Sequence, residues 1–252
     1  MSSLTWAEDW QRSWDRQQEG YILDREARLG ALLDIVEAVG GREPLVLDLA
    51  CGTGSITRRV LDRLPGARSV AIDLDPALLS IARGSLGEDP RVRFVRADLT
   101  DPDWVTALPE TGFDAVVTAT ALHWLPGPAL RRLYADLWGV VRVGGVVANA
   151  DEMPEGDLPR LQDALDELER ERRAEAMADG RPDWEAWWDL AELDPALSEA
   201  VIERKALFGG VRHPVSFHPP ASWHVAALAG AGFVEAGVAW RRGPGAVVAG
   251  VR

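Results

Sequence analysis

One short run of this sequence combines the residue types that a small-molecule binding turn requires. Residues 48–55, Asp-Leu-Ala-Cys-Gly-Thr-Gly-Ser, lead from an apolar segment into a segment of helical character. The small residues Ala50, Gly52 and Gly54 let the backbone approach a ligand closely, and glycine tolerates positive φ. The helix N-terminus beyond offers free N–H groups, while Asp48 can face a ligand's amino group or the amides of the turn.

The same run lacks the residues that the common phosphate-binding turns need. A dinucleotide fingerprint requires a third glycine three residues after Gly54, and this chain has Thr57 there. An acid at Asp48, before the glycines, is also foreign to that fingerprint. A P-loop needs Gly-Lys-Ser/Thr, but the only lysine is Lys205. We therefore expect a turn that does not cradle phosphates, which disfavours a dehydrogenase.

The elements around the turn alternate between apolar strands and helices. Strands are predicted at 45–49, 69–73, 92–95, 113–118 and 146–149. Helices are predicted at 5–40 in two segments, 55–64, 76–85, 128–143 and 222–230, with a short one near Trp104. Strands that are apolar on both faces and alternate with helices indicate a doubly wound parallel sheet. Strands at 233–241 and 246–251 flank a tight Gly-Pro-Gly turn, so they must be antiparallel.

Residues 152–208 carry no clear strand signal and read as two or three helices. An apolar stripe in this segment consists of Leu158, Leu161, Leu165 and Leu168. We therefore predict a core built from 1–151 and 209–252, in which an N-terminal helical cap carries a stripe of Trp6, Trp10 and Trp14. Residues 152–208 would be a helical insertion that serves as a substrate lid or as a dimer interface.

The turn and its surroundings resemble a known family. Residues 46–54, Val-Leu-Asp-Leu-Ala-Cys-Gly-Thr-Gly, are similar to the first motif of class I S-adenosylmethionine-dependent methyltransferases of the small-molecule type. That family usually has glycine at the position of Ala50. The likeness extends over 20–151 and 222–252. It implies an α/β, Rossmann-like, mostly parallel seven-stranded sheet with a C-terminal antiparallel hairpin and, in this chain, an inserted helical lid.

The resemblance also implies a cofactor, S-adenosyl-L-methionine, with S-adenosyl-L-homocysteine as product. Asp73 would bind the ribose hydroxyls, because a carboxylate accepts both hydroxyl hydrogens. Asp98 would contact the adenine amino group, and Arg28 would pair with the methionine carboxylate. The full set of predicted cofactor-binding residues is Tyr21, Arg28, Asp48, Ala50, Gly52, Gly54, Asp73, Leu74, Asp98, Leu99, Thr118 and Ala119.

The residues that would meet a methyl acceptor follow strands four and five or lie on the insertion. They are His123, Trp124, Asp151, Glu152, Trp184, Trp187 and Trp188. His123 is the candidate catalytic base, since an unperturbed histidine titrates near neutral pH; the alternative is a structural histidine at the pocket wall. Trp187 and Trp188 are adjacent and cannot both face one helix core cleanly, which favours a flat or hydrophobic substrate. Docking of the insertion onto the core is the competing interpretation.

Three histidines in the C-terminal third, His213, His218 and His224, raise the question of a metal site. No cysteine and no tight set of carboxylates accompanies them, whereas zinc sites combine such ligands at short spacings. Three nearby prolines explain a loop of this composition without a metal. We therefore predict no metal site.

Composition excludes several classes of protein. The 252 residues carry a formal net charge of −13, which disfavours nucleic acid as a partner. Cys51 is the only cysteine, so no intramolecular disulfide can form. The sequence shows neither a signal peptide nor an apolar run of membrane-spanning length. We expect a cytoplasmic protein with a small-molecule substrate and no membrane contact, and a homodimer stays an option.

These observations converge on an S-adenosylmethionine-dependent methyltransferase that acts on a small molecule. In-line transfer would depend mainly on proximity and orientation. The single lysine among 27 basic residues indicates a GC-rich coding sequence and is compatible with secondary metabolism. Two alternatives stay open at this point. The same scaffold could catalyse a non-methyl reaction such as a cyclisation, or it could be a non-enzymatic module that binds the cofactor or a partner.

Overall fold

Seven strands form one sheet in the computed structural model, which describes residues 5–154, 158–209 and 216–252. They are β1 (Leu45–Leu49), β2 (Arg68–Asp73), β3 (Val92–Arg96), β4 (Phe113–Ala119), β5 (Val141–Glu152), β6 (Glu235–Arg242) and β7 (Gly245–Val251). Their order is β3-β2-β1-β4-β5-β7-β6. The first five run parallel, while β7 pairs antiparallel with β5 and β6. The predicted fold class is confirmed.

Helices cover both faces of this sheet. In the described ranges they are α1 (Trp6–Tyr21), α2 (Arg25–Gly40), α3 (Ser55–Arg63), α4 (Pro76–Leu86), α5 (Gly127–Val140), α6 (Pro159–Met177), α7 (Trp184–Leu193), α8 (Ser198–Leu207) and α9 (Ala221–Ala231). Leu137 of α5 and Leu228 of α9 pack on one face, and Leu32 of α2 and Val60 of α3 pack on the other. Every residue of β1 is buried because both of its faces are covered.

None of the helices in the described ranges combines the length and the hydrophobicity that crossing a membrane requires.

The boundary between α5 and β5 differs from the sequence prediction, which extended the helix to residue 143. The helix ends at Val140, and Val141 is already extended and paired with Phe113. The β4–β5 register then skips from Val141 to Val146. A side chain on Gly145 would lie 2.9 Å from the Phe113 carbonyl oxygen, so only glycine fits this close approach. Tertiary pairing with β4 therefore ends the helix early.

The tryptophans of α7 correct a second sequence prediction. Trp187 and Trp188 are both buried, although they are adjacent in the chain. Trp187 packs edge-on against Trp10 and Trp14 of α1, with ring centroids 5.1 and 5.0 Å away. The same apolar cluster includes Ile81 of α4. Because α7 lies between α1 and other helices, two neighbouring positions of one helix can both be buried.

Trp187→Ala should lower the free energy of unfolding by about 3–5 kcal/mol, the cost of a large cavity at a fully buried aromatic residue. Leu193→Ala on the same helix is the control, because Leu193 is 80% exposed and its loss should cost less than about 0.5 kcal/mol. Urea unfolding measures both variants. Equal stability of the two variants would show that Trp187 does not anchor α7.

Candidate functional site

The cavity that collects most of the predicted residues lies at the carboxyl ends of the parallel strands, the ligand edge of open α/β sheets. Its volume is about 860 Å³, near the upper end of the range for ligand pockets. The predicted residues that line it are Tyr21, Arg28, Ala50, Gly52, Asp73, Leu74, Asp98, Leu99, Ala119, His123, Trp124, Asp151, Glu152 and Trp184. Those that do not line it are Asp48, Gly54, Thr118, Trp187 and Trp188.

The glycine turn between β1 and α3 is held in a conformation that L residues rarely adopt. Ala50, Gly52 and Gly54 have φ values of 57°, 54° and 80°. Ala50 accepts this backbone without being glycine, and Thr120 beyond β4 does the same with φ 52°. Both Ala50 and Thr120 line the cavity. Such strain persists only where the surroundings enforce it, and it clusters at binding sites.

The carboxylate of Asp73 fastens this turn to the end of β2. Its Oδ2 accepts a hydrogen bond from the Gly52 amide at 2.7 Å, and its Oδ1 accepts one from the Asp75 amide at 2.8 Å. Burial raises the pKa of Asp73 to about 6, although these amide donors oppose the shift. Each oxygen keeps a further lone pair for an outside donor, because an ionised carboxylate offers about four acceptor positions.

Asp98 follows β3 and uses one oxygen to shape its own turn. Oδ1 accepts the Thr100 amide at 2.8 Å and the Thr100 hydroxyl at 2.7 Å. This Asx-type turn orients the carboxylate at the cavity wall. Neither of these bonds uses the second oxygen of Asp98.

Asp48, Gly54 and Thr118, which were among the predicted cofactor-binding residues, do not line the cavity. The Oδ2 of Asp48 accepts bonds from the Thr57 amide at 3.0 Å and hydroxyl at 2.6 Å, at the start of α3. Gly54 serves as the left-handed N-cap of α3 and faces Leu86. Asp48 and Gly54 thus shape the turn and the start of α3. Thr118 is buried in β4, a central strand of the sheet.

Asp48 is buried, and its Oδ1 has no hydrogen-bond partner in the described ranges. Burial raises its pKa to about 7, and the bonds from Thr57 reduce that shift. The folded protein therefore retains at mildly acidic pH a proton that the unfolded chain releases.

Arg28 of α2 is a buried guanidinium at the cavity wall. Its Nη2 donates to Asp24 Oδ1 at 3.0 Å, whereas Nε and Nη1 have no partner in the part of the chain that the structure describes. Burying unpaired donors of a charged group is costly unless a ligand satisfies them. Tyr21 lies nearby in the same wall, and its hydroxyl accepts a hydrogen bond from the Trp184 amide at 2.8 Å.

His123 and Asp151 form a hydrogen-bonded pair at the ends of β4 and β5. His123 Nδ1 lies 2.9 and 3.0 Å from the two Asp151 oxygens. Burial alone would raise the pKa of Asp151, but the hydrogen bond and charge of His123 hold it below the ordinary value. Asp151 is therefore a carboxylate that accepts the Nδ1 proton, so in the neutral imidazole Nε2 is the acceptor.

His218, which sequence reasoning did not assign to the cavity, stacks on His123. The two ring centroids are 4.8 Å apart at an interplanar angle of 25°, and Trp124 lies on His123 at 4.6 Å. His123, Asp151 and His218 could together offer three ligand atoms to a metal, all within 4.8 Å of one another. In the structure two of these groups, His123 and Asp151, are hydrogen-bonded to each other.

Of the histidines considered from the sequence, His218 lines the cavity and His224 does not. His224 is buried and its Nδ1 lies 2.8 Å from the Tyr134 hydroxyl. Burial lowers the pKa of His224 to about 4. His213 lies outside the described residues.

Other arginines of the cavity form ion pairs, although the buried Nε of Arg173 has no hydrogen-bond partner in the described ranges. Arg173 of α6 contacts Glu152 and Glu169, and Arg25 of α2 contacts Asp15 at 2.6 Å. Among the residues that sequence reasoning missed, Asp75 beside the end of β2 has a charged side chain in the wall. The others with charged or aromatic side chains are Trp14, Arg25, Arg173, Arg204, Phe208 and His218. They belong to helices and a loop outside the strand ends, so no motif spacing indicated them.

Comparisons with known proteins give a family-level match for part of the chain. Residues 46–145 match the sequence model of a methyltransferase domain. A trans-aconitate 2-methyltransferase of Azoarcus sp. (strain BH72) is 34% identical over 141 residues, covering 54% of this chain and 49% of that protein. A malonyl-[acyl-carrier protein] O-methyltransferase of Paenibacillus sp. (strain JDR-2) is 32% identical over 105 residues, covering 41% and 37%. The chain thus spans half or less of the length of these relatives.

Solved structures share the fold at low sequence identity. An O-methyltransferase family protein from Burkholderia thailandensis has a TM-score of 0.58 at 21% identity, over 94% of this chain and 59% of that chain. Human N-acetylserotonin methyltransferase, solved in complex with SAM, has a TM-score of 0.55 at 14% identity, over 95% and 56%. At these identities the likeness concerns the fold alone.

Asp48→Asn should remove a pH-dependent loss of stability. Because its pKa rises from 3.8 to about 7 on folding, the wild type loses stability as pH rises from about 4 to about 7. The variant keeps an uncharged group throughout. Its melting temperature relative to the wild type should therefore be higher at pH 7 than at pH 5, by several degrees. The variant Asp103→Asn, at an exposed position, controls for the loss of one negative charge. If the melting temperature of Asp48→Asn differs from that of the wild type by the same amount at both pH values, the raised pKa of Asp48 is contradicted.

Proposed function

We propose that this chain, whose residues 46–145 match the sequence model of a methyltransferase domain, is an S-adenosyl-L-methionine-dependent methyltransferase that acts on a small molecule. The sheet order and the strand-end cavity are those of the class I fold. When bound, S-adenosylmethionine supplies an activated methyl group on sulfur. The chain's own residues then need to hold cofactor and acceptor in line, exclude water and accept a proton.

The observation that carries the proposal is the buried Arg28, whose Nε and Nη1 are unpaired at the wall of a cavity that also contains Asp73. A planar guanidinium suits an α-carboxylate, and Nε or Nη1 can donate a charge-assisted hydrogen bond to a carboxylate oxygen. The carboxylate of Asp73 suits the two ribose hydroxyls, and that of Asp98 suits an exocyclic amino group. One amino acid and one nucleoside can therefore be bound by groups that the cavity presents together.

His123 is proposed as the base that takes the acceptor's proton at Nε2. Asp151 is the positioning residue, because its carboxylate holds Nδ1–H and stabilises the imidazolium that forms. A base is useful only if the acceptor begins protonated, as a hydroxyl or an ammonium group does. An acceptor that is already an ionised carboxylate needs no base.

The ion pairs of the cavity also favour an acceptor that carries no charge. In the described ranges, Arg25 and Arg173 are each matched by acidic residues, and Arg28 is assigned to the cofactor. Trp124 and Trp184 add apolar surface to the wall of the cavity. We therefore propose a neutral, flat acceptor with a hydroxyl group. Relatives named for trans-aconitate and for malonyl-[acyl-carrier protein] support small-molecule or carrier-bound acceptors in general.

The wider setting of the enzyme is also a proposal. Residues 1–151 and 209–252 would form the core, and 152–208 an insertion over the cavity. Solved neighbours include the pyocyanin biosynthetic protein PhzM and the mitomycin 7-O-methyltransferase MmcR, and these names favour a role in secondary metabolism. A cytoplasmic location and a homodimer are retained as parts of the same proposal.

Arg28→Gln should weaken binding of S-adenosylhomocysteine by about ten-fold or more, the cost of losing hydrogen bonds to a charged group. Binding of 5′-methylthioadenosine, which has the nucleoside but no carboxylate, should not change. Arg25→Gln is the matched control, since the Arg25 donors are already used by Asp15 and Glu26. Isothermal titration calorimetry measures the binding of each ligand to each variant. Unchanged S-adenosylhomocysteine binding by Arg28→Gln would refute the assignment of Arg28 to the methionine carboxylate.

His123→Ala should reduce methyl transfer by about 10²-fold or more and leave S-adenosylhomocysteine affinity within about two-fold. The acceptor is found first, by screening small molecules for the mass gain of one methyl group. Asp151→Asn should retain turnover but move the acidic limb of the pH–rate profile to lower pH, because the imidazolium loses its counter-charge. Near-wild-type turnover of His123→Ala on a hydroxyl acceptor would refute the base role.

A further inference from the structure

Helix α8 of the insertion is fastened beside the ends of β2 and β3. Arg204 of α8 donates from Nε to Asp75 Oδ2 at 2.6 Å, at the N-cap of α4. Glu203 pairs with Arg96, the last residue of β3, at 2.5 Å. Two ion pairs thus join α8 to the strand ends that carry Asp73 and Asp98, and His123 lies beyond the ends of other strands.

The side chain of Arg204 also orders the C-terminal end of α8. Its guanidinium lies 3.8 Å from the centroid of the buried Trp188 and 5.2 Å from that of Phe208. A guanidinium stacks on aromatic faces while it keeps its in-plane hydrogen bonds. Arg204 therefore contacts Asp75, Trp188 of α7 and Phe208. These contacts position Phe208 at the end of α8.

Phe208 and Leu207 present apolar surface to the cavity. They are 37% and 42% exposed and line the same cavity as Asp98 and Leu99. Ile202, on the same helix, is 61% exposed but does not line the cavity. The apolar surface at the end of α8 therefore faces a ligand site, whereas that of Ile202 faces solvent.

We propose that Phe208, with Leu207, forms a wall for the adenine ring, so that the insertion contributes to cofactor binding through α8. This rests on the proposed function, because it presumes that the nucleoside occupies the end of the cavity marked by Asp73 and Asp98. An aromatic ring suits a purine, which offers a flat π-face for stacking. The insertion then serves both ligands: α8 covers the nucleoside, while Arg173 of α6 and Trp184 of α7 line the acceptor end.

The test compares Phe208→Ala, Phe208→Tyr and Ile202→Ala with the wild type by calorimetry. Phe208→Ala should weaken S-adenosylhomocysteine binding by about ten-fold, as loss of one stacked aromatic ring does. It should weaken 5′-methylthioadenosine by the same factor, since both ligands carry adenine. Phe208→Tyr keeps the ring and should bind like the wild type, and Ile202→Ala should be silent. Melting temperatures of all four proteins establish that each is folded.

The outcomes separate this inference from the function on which it rests. Wild-type binding with unchanged affinity in Phe208→Ala overturns the adenine wall alone. A loss that Phe208→Tyr does not restore also overturns it, because stacking is then not the cause. Absence of binding in the wild type overturns both the proposed function and the wall.

Discussion

The hydrogen bond from the Gly52 amide to the Asp73 carboxylate is the constraint around which the site is arranged. It ties the turn after β1 to the end of β2, and the Cys51 amide reinforces it by donating to the Ile72 carbonyl at 2.9 Å. The turn needs this support because Ala50 and Gly52 both have positive φ. Burial of Asp73 costs free energy, as its raised pKa indicates. The carboxylate is thus held at the cavity wall by the same bonds that shape the turn.

Different parts of the chain supply the two ends of the cavity. The glycine turn, Asp73 and Asp98 come from the first three strands, whereas His123 and Asp151 come from β4 and β5. The helices before β1 contribute the buried Arg28, and the insertion adds α8 beside β3. Such a division suits a reaction that aligns two ligands, because each can be bound by its own elements.

The strands, the turn and the sheet class could be predicted because they depend on local patterns. Apolar runs such as 45–49 and the glycines at 52 and 54 carry their signal in a few consecutive residues. The end of α5 could not be predicted, since pairing of Val141 with Phe113 decides it. Burial of both Trp187 and Trp188 depends on α1 packing across α7, and the assignment of Phe208 depends on Arg204 meeting Asp75. These contacts join residues far apart in the chain, so spacing contains no sign of them.

The most direct measurement is a calorimetric titration of the wild type and of Asp73→Ala with S-adenosylhomocysteine. A cavity organised by Asp73 for a nucleoside predicts saturable one-to-one binding by the wild type in the micromolar range or tighter, and its loss in a variant that still melts cooperatively. No binding by the wild type, or equal binding by the folded variant, would contradict the assignment of this cavity as the cofactor site.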